Sequence, residues 1–345
     1  MAGVVAQSSV VTVFRAVLMR VLVTGGAGFI GSKLVAALCN AGHQVRVLSR
    51  NKTVSLECNM EAIEVVQADL LDSNLLLDKI VSGCSVIFNC AGELHSEKLM
   101  ESLHVDATRR LVHASKDMAK VVGQPIHWVQ LSSVGAYGPS VGKASAPRTV
   151  TEKTVPAPVG VYEITKTQAD ELIVDAEEDE VFSYSILRPS NVYGVGMPNN
   201  SIRQWGKIIK KKLFFYVGPP GAVATYVHVG DVVDAIMLCG FDERAKGHIF
   251  NISNDCPQES VVGAMAKALN VPTPSLRVPE SVMRFIASSF SWIKGFPVSH
   301  SRVDALVSRT HYPVSKLASV LGYRPTRVVE ETIAEVLIDE VGVRQ

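Results

Sequence analysis

Residues 20–40, RVLVTGGAGFIGSKLVAALCN, form the segment from which the fold can be predicted. An apolar run suited to a buried strand leads into Gly25, Gly28 and Gly31, and a helical pattern follows directly. Gly25 permits a tight turn, Gly28 lets a ligand approach the backbone, and Gly31 lets the helix pack closely. A strand, a glycine turn and a helix N-terminus in this order predict a site for the pyrophosphate of a dinucleotide.

Apolar runs alternate with helical patterns beyond this turn. The strand-like runs are QVRVL, EVVQ, VIFN, WVQL and YSILR, at residues 44–48, 64–67, 86–89, 128–131 and 184–188. Runs that are apolar throughout indicate parallel strands buried on both faces. We therefore predict an α/β fold with a doubly wound parallel sheet, the Rossmann fold, over residues 19–188.

The composition of the chain changes after residue 188. Asn, Gly and Pro become frequent there, as is typical of loops. The later runs TYVHV and HIFNIS, residues 225–229 and 248–253, are strand-like. We expect both to return to the large sheet, within a returning segment of residues 225–254. A smaller, discontinuous substrate-binding domain is predicted over residues 189–224 and 255–345.

Composition excludes several classes of protein. The chain has 345 residues and a formal net charge of +1, so it offers no long-range field to nucleic acid or an anionic membrane. Its six cysteines form no CxxC pair and no zinc-like spacing with histidine, so we expect reduced thiols, no metal site and a cytoplasmic protein. Residues 1–18 lack the basic start of a signal peptide and are expected to be a disordered extension.

Ser49 and Arg50, at the end of the second strand, bear on the choice of dinucleotide. An acidic side chain here would bond the ribose 2′-hydroxyl of NAD, whereas an arginine accommodates the 2′-phosphate of NADP. Neither position holds an acid. We expect NAD or NADP, with Arg50 favouring NADP. The alternative role for Arg50 is stacking on the adenine.

Tyr162 and Lys166 lie four residues apart in VYEITKTQADELI, which has helical periodicity. Their side chains should therefore leave one face of the helix, one turn apart. A phenol has a pKa of about 10, and a nearby ammonium favours the phenolate, so the pair suits proton transfer. Ser132 and Ser133 end the strand WVQLSS, at the sheet edge where such folds bind their cofactor.

The motifs resemble those of the extended short-chain dehydrogenase/reductase family, in its branch of NAD-dependent epimerases and dehydratases acting on sugar nucleotides. The matching segments, in the family's order, are TGGAGFIG, ADL, NCAG, LSSVGAYG, YEITK, LRPSNVYG, YVHVGDV, FNIS and LGYRP, between residues 24 and 325. The resemblance implies an enzyme that transfers hydride at a carbinol carbon, and a homodimer.

The resemblance also implies roles for single residues. Tyr162 would exchange a proton with the substrate hydroxyl, Lys166 would lower the pKa of Tyr162 and hold the nicotinamide ribose, and Ser133, or else Ser132, would bond the same substrate oxygen. The cofactor contacts expected from the glycine turn, the second strand and the family together are Gly25, Gly28, Phe29, Ile30, Gly31, Ser49, Arg50, Asp69, Leu70, Asn89, Ala91, Gly92, Ser132, Tyr162, Lys166 and Pro189. The expected substrate contacts are Tyr137, Asn191, Asn199 and Asn200, with Tyr193 as a further candidate.

Two departures from the family pattern narrow the reaction. Dehydratases carry an acid pair after the catalytic Ser or Thr, where this chain has Val134 and Gly135, so elimination of water is disfavoured. Family members that bind the diphosphate of a sugar nucleotide usually carry an arginine at the position where this chain has Ala224 and Thr225. The remaining candidates for diphosphate binding are Arg203, Lys207 and Arg309.

We therefore predict an NAD(P)-dependent sugar-nucleotide 4-epimerase or 4-ketoreductase. One alternative is an NADPH-dependent reductase of a non-nucleotide carbonyl, such as a steroid or flavonol, because sister branches also lack the diphosphate arginine. Another is a protein that senses the dinucleotide without catalysis. Retention of both Tyr162 and Lys166 argues against the sensor.

Overall fold

The computed structural model describes residues 18–51, 63–290, 292 and 298–337. The expected extension over residues 1–18 lies outside them except for Leu18, as does Cys58 among the cysteines. The strands in chain order are β1 (Arg20–Thr24), β2 (Gln44–Ser49), β3 (Ile63–Gln67), β4 (Val86–Asn89), β5 (Ile126–Leu131), β6 (Pro147–Thr149), β7 (Phe182–Pro189), β8 (Asn191–Tyr193), β9 (Tyr216–Val217), β10 (Val223–His228), β11 (His248–Ile252), β12 (Asn254–Pro257), β13 (Arg277–Val278) and β14 (Arg309–His311). The α-helices are α1 (Phe29–Asn40), α2 (Leu77–Val81), α3 (Glu97–Glu101), α4 (Ala107–Val122), α5 (Val161–Asp175), α6 (Ser201–Lys210), α7 (Val229–Phe241), α8 (Gln258–Ala268), α9 (Glu280–Ser289), α10 (His300–Val307), α11 (Ser315–Leu321) and α12 (Val329–Thr332).

Seven strands form a central sheet in the order β11-β7-β5-β4-β1-β2-β3. Every pairing within it is parallel. The strand order reverses between β1 and β4, and in open α/β sheets the crevice at such a point is where ligands bind. The predicted α/β class and doubly wound sheet are confirmed.

Helices cover both faces of this sheet, as the apolar strands require. On one face, α1 and α7 bury Leu34, Leu38 and Ile236 against β1 and β4. On the other, α4 and α5 bury Leu111 and Ile173 against β5 and β7. Two separate cores explain why these strands read as continuous apolar runs rather than as alternating ones.

The expectation that residues 225–229 return to the large sheet is wrong. β10 lies in a separate three-stranded sheet, parallel to β8 and antiparallel to β12. The place beside β7 is taken by β11, whose backbone pairs along β7 from Ser185 to Pro189. The expectation for residues 248–253 is correct, because β11 is that edge strand.

The C-terminal segment is held to α7 by a buried carboxylate. Asp231 accepts hydrogen bonds from Tyr323, Thr326 and Arg327, including the backbone N–H groups of the last two. Asp231 is fully buried, so these bonds replace the water that its charge has lost.

No helix in the described part of the chain is long and apolar enough to cross a lipid bilayer.

Candidate active site

The glycine turn brings β1, α1 and the end of β4 into contact. Gly25 has φ +65°, and a Cβ there would lie 2.7 Å from the backbone nitrogen of Ala91. A Cβ at Gly31 would collide with the carbonyl of Gly25. The N–H of Gly28 donates to that same carbonyl at 2.9 Å, which closes the turn. Side chains at Gly25 or Gly31 would force the three elements apart.

The N-terminus of α1 is suited to an anion. The helix starts after Gly28 with no side-chain cap and no acidic residue in its first turn. The N–H groups of Phe29, Ile30 and Gly31 occupy that turn, where intrahelical acceptors are missing. These donors and the positive end of the helix dipole fit a pyrophosphate.

A cavity of about 340 Å³ opens beside this helix end, at the carboxyl ends of the strands. The expected cofactor contacts that line it are Gly25, Gly28, Ser49, Arg50, Asp69, Leu70, Ala91 and Gly92. Asp69 Oδ1 accepts the N–H of Leu71 at 3.0 Å, and Ser49 Oγ accepts the N–H of Asn51 at 3.1 Å. Both side chains thereby shape the loops that would surround an adenosine.

Arg50 is exposed at the rim of this cavity. Within the described residues its guanidinium forms no ion pair, and its backbone carbonyl accepts a bond from Gln67. A guanidinium in this position is available to a phosphate. The same position would also allow the guanidinium to stack on the adenine, the alternative role given above.

Asn89 lies in the core rather than along the cavity, against expectation. Its Oδ1 accepts from Thr24 Oγ1 at 2.5 Å, and its Nδ2 donates to Gln130 Oε1 at 2.9 Å and to Thr108 Oγ1 at 3.2 Å. These partners come from β1, β5 and α4, and together they bond both the oxygen and the nitrogen of the amide. Asn89 thus holds neighbouring elements together below the cofactor cavity.

Lys166 is buried at the strand ends that border the cavity. Its Nζ donates to the carbonyl of Leu131 at 3.0 Å and to that of Ala91 at 3.3 Å. It also lies 3.6 Å from the position that a Cβ on Gly92 would take. Burial lowers the pKa of Lys166, and the charge of Asp170 opposes this. An ammonium has three donors, so one remains for a ligand or for Tyr162.

Tyr162 stands one helical turn before Lys166 on α5. Its pKa is raised to about 12, first by burial and then by the negative charges of Glu163 and Asp170. The expectation that Lys166 lowers this pKa is not met, because the ammonium bonds the carbonyls of β5 and the β4 loop rather than the phenol. The phenol is therefore a proton donor at neutral pH in this structure.

The two adjacent serines have different partners. Ser133 caps a 3-10 turn, Val134–Tyr137, and its Oγ accepts the N–H of Gly135 at 3.0 Å. Among the described residues its own hydroxyl proton has no acceptor, so it remains available. Ser132 is buried, and its hydroxyl donates to Asp170 Oδ2 at 2.7 Å. Ser133 is therefore the serine that can bond a substrate, and Ser132 supports the Asp170 ion pair with Arg188.

His104 belongs to this site, and no sequence pattern pointed to it. It lies in a π-helical turn, Ser102–Asp106, a distortion often found at functional sites. Nε2 accepts the N–H of Glu93 at 2.9 Å, so Nδ1 carries the proton and donates to Thr165 Oγ1 at 2.8 Å. Burial lowers its pKa to about 3, so the ring is neutral.

Two aromatic residues expected at the substrate are packed in the interior instead. Tyr137 is 1% exposed, its hydroxyl donates to Asn251 Oδ1, and the guanidinium of Arg188 lies over its ring. Tyr193 is fully buried and its hydroxyl bonds Thr332 Oγ1 at 2.5 Å. Both hydroxyls are used within the protein, so neither is a substrate contact in this structure.

Three asparagines expected at the substrate are exposed but serve local roles. Asn191 Nδ2 donates to the carbonyl of Thr225, which links β8 to β10. Asn199 Oδ1 accepts the N–H of Ser201 at the start of α6, and Asn200 Oδ1 accepts from Arg203. Each retains amide capacity toward solvent. Pro189, expected at the cofactor, ends β7 opposite Ile252.

The residues expected to bind a diphosphate in place of the missing arginine have bonding partners within the protein. Ala224 is buried in the small sheet. Arg203 Nη1 donates to the carbonyl of Met197 at 3.0 Å, and Arg309 Nη2 donates to that of Pro220 at 2.7 Å. Lys207, on α6, also has a bonding partner. These contacts hold loops in place.

Comparison with known proteins defines the class. The family model described as the NAD dependent epimerase/dehydratase family matches residues 21–253. The chain belongs to this family, as its motifs predicted, and is an enzyme of the extended short-chain dehydrogenase/reductase type that uses a nicotinamide dinucleotide.

Individual relatives differ in what they act on. A 3 beta-hydroxysteroid dehydrogenase/Delta 5-->4-isomerase of Mycobacterium tuberculosis is 23% identical over 92% of this chain and 89% of its own length. A dTDP-6-deoxy-L-talose 4-dehydrogenase of Kitasatospora kifunensis is 28% identical over 75% of this chain and 82% of its own length. The fold matches UDP-glucuronic acid 4-epimerase from Bacillus cereus in complex with NAD, with TM-score 0.70 and 18% identity over 95% and 100% of the two chains.

Proposed function

We propose that the chain moves hydride reversibly at a secondary carbinol of a sugar nucleotide, as a 4-ketoreductase or a 4-epimerase. The observation that carries this proposal is the position of Lys166 Nζ, which bonds the carbonyls of Leu131 and Ala91 beside the cavity, with Tyr162 one helical turn earlier on α5 and Ser133 two residues after β5. Support for the sugar comes from the dTDP-6-deoxy-L-talose 4-dehydrogenase, which has the highest identity to this chain among the relatives described above.

Each residue has a defined part in this proposal. The dinucleotide supplies or accepts the hydride. Tyr162 gives its proton to the carbonyl oxygen during reduction, which suits a phenol that is protonated at neutral pH. Ser133 donates a hydrogen bond from its hydroxyl to the same oxygen and keeps its proton. Lys166, already held by two carbonyls, keeps a third N–H for the cofactor ribose.

A second candidate is an NADPH-dependent reductase of a non-nucleotide carbonyl. A specific observation favours it: Ala224, where the diphosphate arginine of the family would stand, is buried and uncharged, and Arg203 and Arg309 each use a guanidinium donor to hold a loop carbonyl. The steroid dehydrogenase relative, which spans nearly the whole chain, points the same way.

A substrate panel separates the two candidates. Purified protein is assayed by nicotinamide absorbance with UDP-glucose, UDP-galactose and dTDP-4-keto-6-deoxyglucose, and in parallel with a 3β-hydroxysteroid and an apolar ketone. Turnover of a nucleotide sugar supports the first candidate, whereas turnover of the apolar compounds alone replaces it by the second. Nucleotide released on denaturation then distinguishes the reactions, because retained NAD indicates an epimerase and an empty site that takes NADPH indicates a reductase.

We further propose a cytoplasmic homodimer that contacts its partner copy through the helices within residues 97–119 and 160–178. The division of the chain into a dinucleotide-binding part and a substrate-binding part is proposed with the boundaries given above, except that β10 belongs to the smaller sheet. Light scattering on the purified protein tests the dimer: a monomer mass would contradict it.

A further inference from the structure

Glu163, the residue after Tyr162, lies in a slot between two glycines. A Cβ added at Gly135 would lie 2.6 Å from Glu163 Cγ, and one at Gly160 would collide with Glu163 Oε2. Neither glycine has a positive φ, so another residue could adopt either backbone conformation. The glycines therefore provide the space that the Glu163 side chain occupies.

This slot adjoins the reacting groups. Ser133 Oγ lies 3.3 Å from the same Cβ position on Gly135 that Glu163 Cγ approaches. The negative charge of Glu163 is also, after burial, the next cause that raises the pKa of Tyr162. Glu163 thus lies near Ser133 Oγ, and its negative charge acts on the phenol of Tyr162.

The carboxylate has no partner among the residues that the structure describes: its oxygens accept no hydrogen bond and form no ion pair. The side chain is only partly buried, so a ligand can reach it. An ionised carboxylate accepts hydrogen bonds and donates none. The group that matches it is therefore a hydrogen-bond donor, and on a sugar ring that donor is a hydroxyl.

We propose that Glu163 is a specificity-determining residue, which accepts a hydrogen bond from a hydroxyl on the carbon next to the reacting carbinol. The proposal rests on the proposed function: when Ser133 and Tyr162 bond one oxygen, Glu163 is placed for the oxygen beside it. The substrate class is then a vicinal diol, as a pyranose ring supplies. An anionic group on that neighbouring carbon would be repelled.

Pairs of alcohols that differ by one neighbouring hydroxyl test this proposal. The pairs are UDP-glucose against UDP-3-deoxyglucose, and trans-1,2-cyclohexanediol against cyclohexanol, each with NAD⁺ and NADP⁺. The wild-type protein should oxidise the diol of a pair with kcat/KM about 10- to 100-fold higher, which is typical of a hydrogen bond to a charged acceptor. Glu163→Gln and Glu163→Ala should lose most of this preference, and Glu171→Gln, an exposed glutamate on the same helix, should keep it.

Two further measurements separate substrate contact from folding. Glu163→Gln removes a negative charge near the phenol, so the basic pKa in the pH profile of alcohol oxidation should move downward. Gly135→Ala keeps Glu163 but displaces it, so the diol preference should fall there too.

The outcomes are distinct. Loss of the preference in Glu163→Gln, with the rate on the mono-ol retained, supports the proposal. A preference that persists in both Glu163 variants, or a wild-type enzyme that oxidises both members of a pair equally, overturns it and leaves hydride transfer intact. Oxidation of no alcohol by the wild-type protein with either dinucleotide contradicts the proposed function, and this proposal with it.

Discussion

The imidazole of His104 lies edge-on against the phenol ring of Tyr162, with the ring centroids 5.5 Å apart and the planes at 87°. Hydrogen bonds to the backbone of Glu93 and to Thr165 fix the imidazole. His104 thereby links the loop after β4, which lines the cofactor cavity, to the helix that carries Tyr162. We interpret it as a positioning residue.

His104→Ala should therefore lower kcat by about 10- to 100-fold, because small displacements of a reacting group are costly. The KM for the dinucleotide should change less. His113→Ala, which removes an exposed histidine from the next helix, is the matched control and should leave kcat unchanged. Steady-state kinetics on both variants check this, and an unaltered kcat in His104→Ala would remove its positioning role.

Because His104 is buried, the free energy of unfolding that is lost when it is replaced depends on pH. Its folded pKa, about 3, lies below the ordinary value of 6.5, so the unfolded chain binds the extra proton between these values. The stability that the neutral ring contributes is present above pH 6.5 and is lost as the pH falls through this window. The loss of unfolding free energy caused by His104→Asn should shrink by about 1.4 kcal/mol per pH unit below pH 6.5. Urea denaturation of both proteins at pH 7.5 and 5.5 measures this; a constant difference would show that the imidazole has the same pKa in the folded and the unfolded chain.

Replacing each serine in turn should give opposite results. Ser133→Ala should lower kcat by about 10²- to 10³-fold, the loss that is typical when an enzyme loses one hydrogen-bond donor to a reacting oxygen. It should leave the free energy of unfolding almost unchanged. Ser132→Ala should cost about 1–3 kcal/mol of unfolding free energy, because buried Asp170 loses a donor, and should retain most activity. Kinetics and urea denaturation on the two variants decide between them. The reverse pattern would assign the substrate contact to Ser132.

Arg50→Ala tests whether the protein prefers NADP to NAD. Loss of an exposed guanidinium at the cavity rim should weaken NADPH binding by about 10- to 100-fold, as expected for a charge-assisted bond to phosphate. NADH binding to the same variant is the internal control and should change little. Fluorescence titration with both dinucleotides measures this, and equal losses would leave stacking on the adenine as the role of Arg50.

The fold was largely predictable, because buried parallel strands have a pattern of their own. The runs that became β1, β2, β4, β5 and β7 were found within two residues of their observed ends. The pairing of β10 was predicted wrongly because TYVHV is as apolar as the strands of the large sheet. Which strand it pairs with depends on which edge of a sheet has no other partner. Edge vacancy follows from the whole topology and not from any local pattern.

The site was predictable where a motif fixes both residue type and spacing, as for the glycine turn and the Tyr162–Lys166 pair. It was not predictable where distant partners decide the direction of a side chain. Asn89 is directed into the core by Thr24, Thr108 and Gln130, which are 19 to 65 residues away. His104 likewise gains its place only when a π-helical turn brings it against α5.

The hydroxyl of Tyr162 is proposed to carry the proton that accompanies hydride transfer. The most direct measurement is the single-turnover rate of Tyr162→Phe on the best substrate of the panel, with the Kd for the dinucleotide measured on the same sample. Loss of proton transfer should slow the rate by about 10²- to 10⁴-fold while the Kd stays within about twofold of wild type. A variant that binds the dinucleotide and turns over at the wild-type rate would contradict the claim.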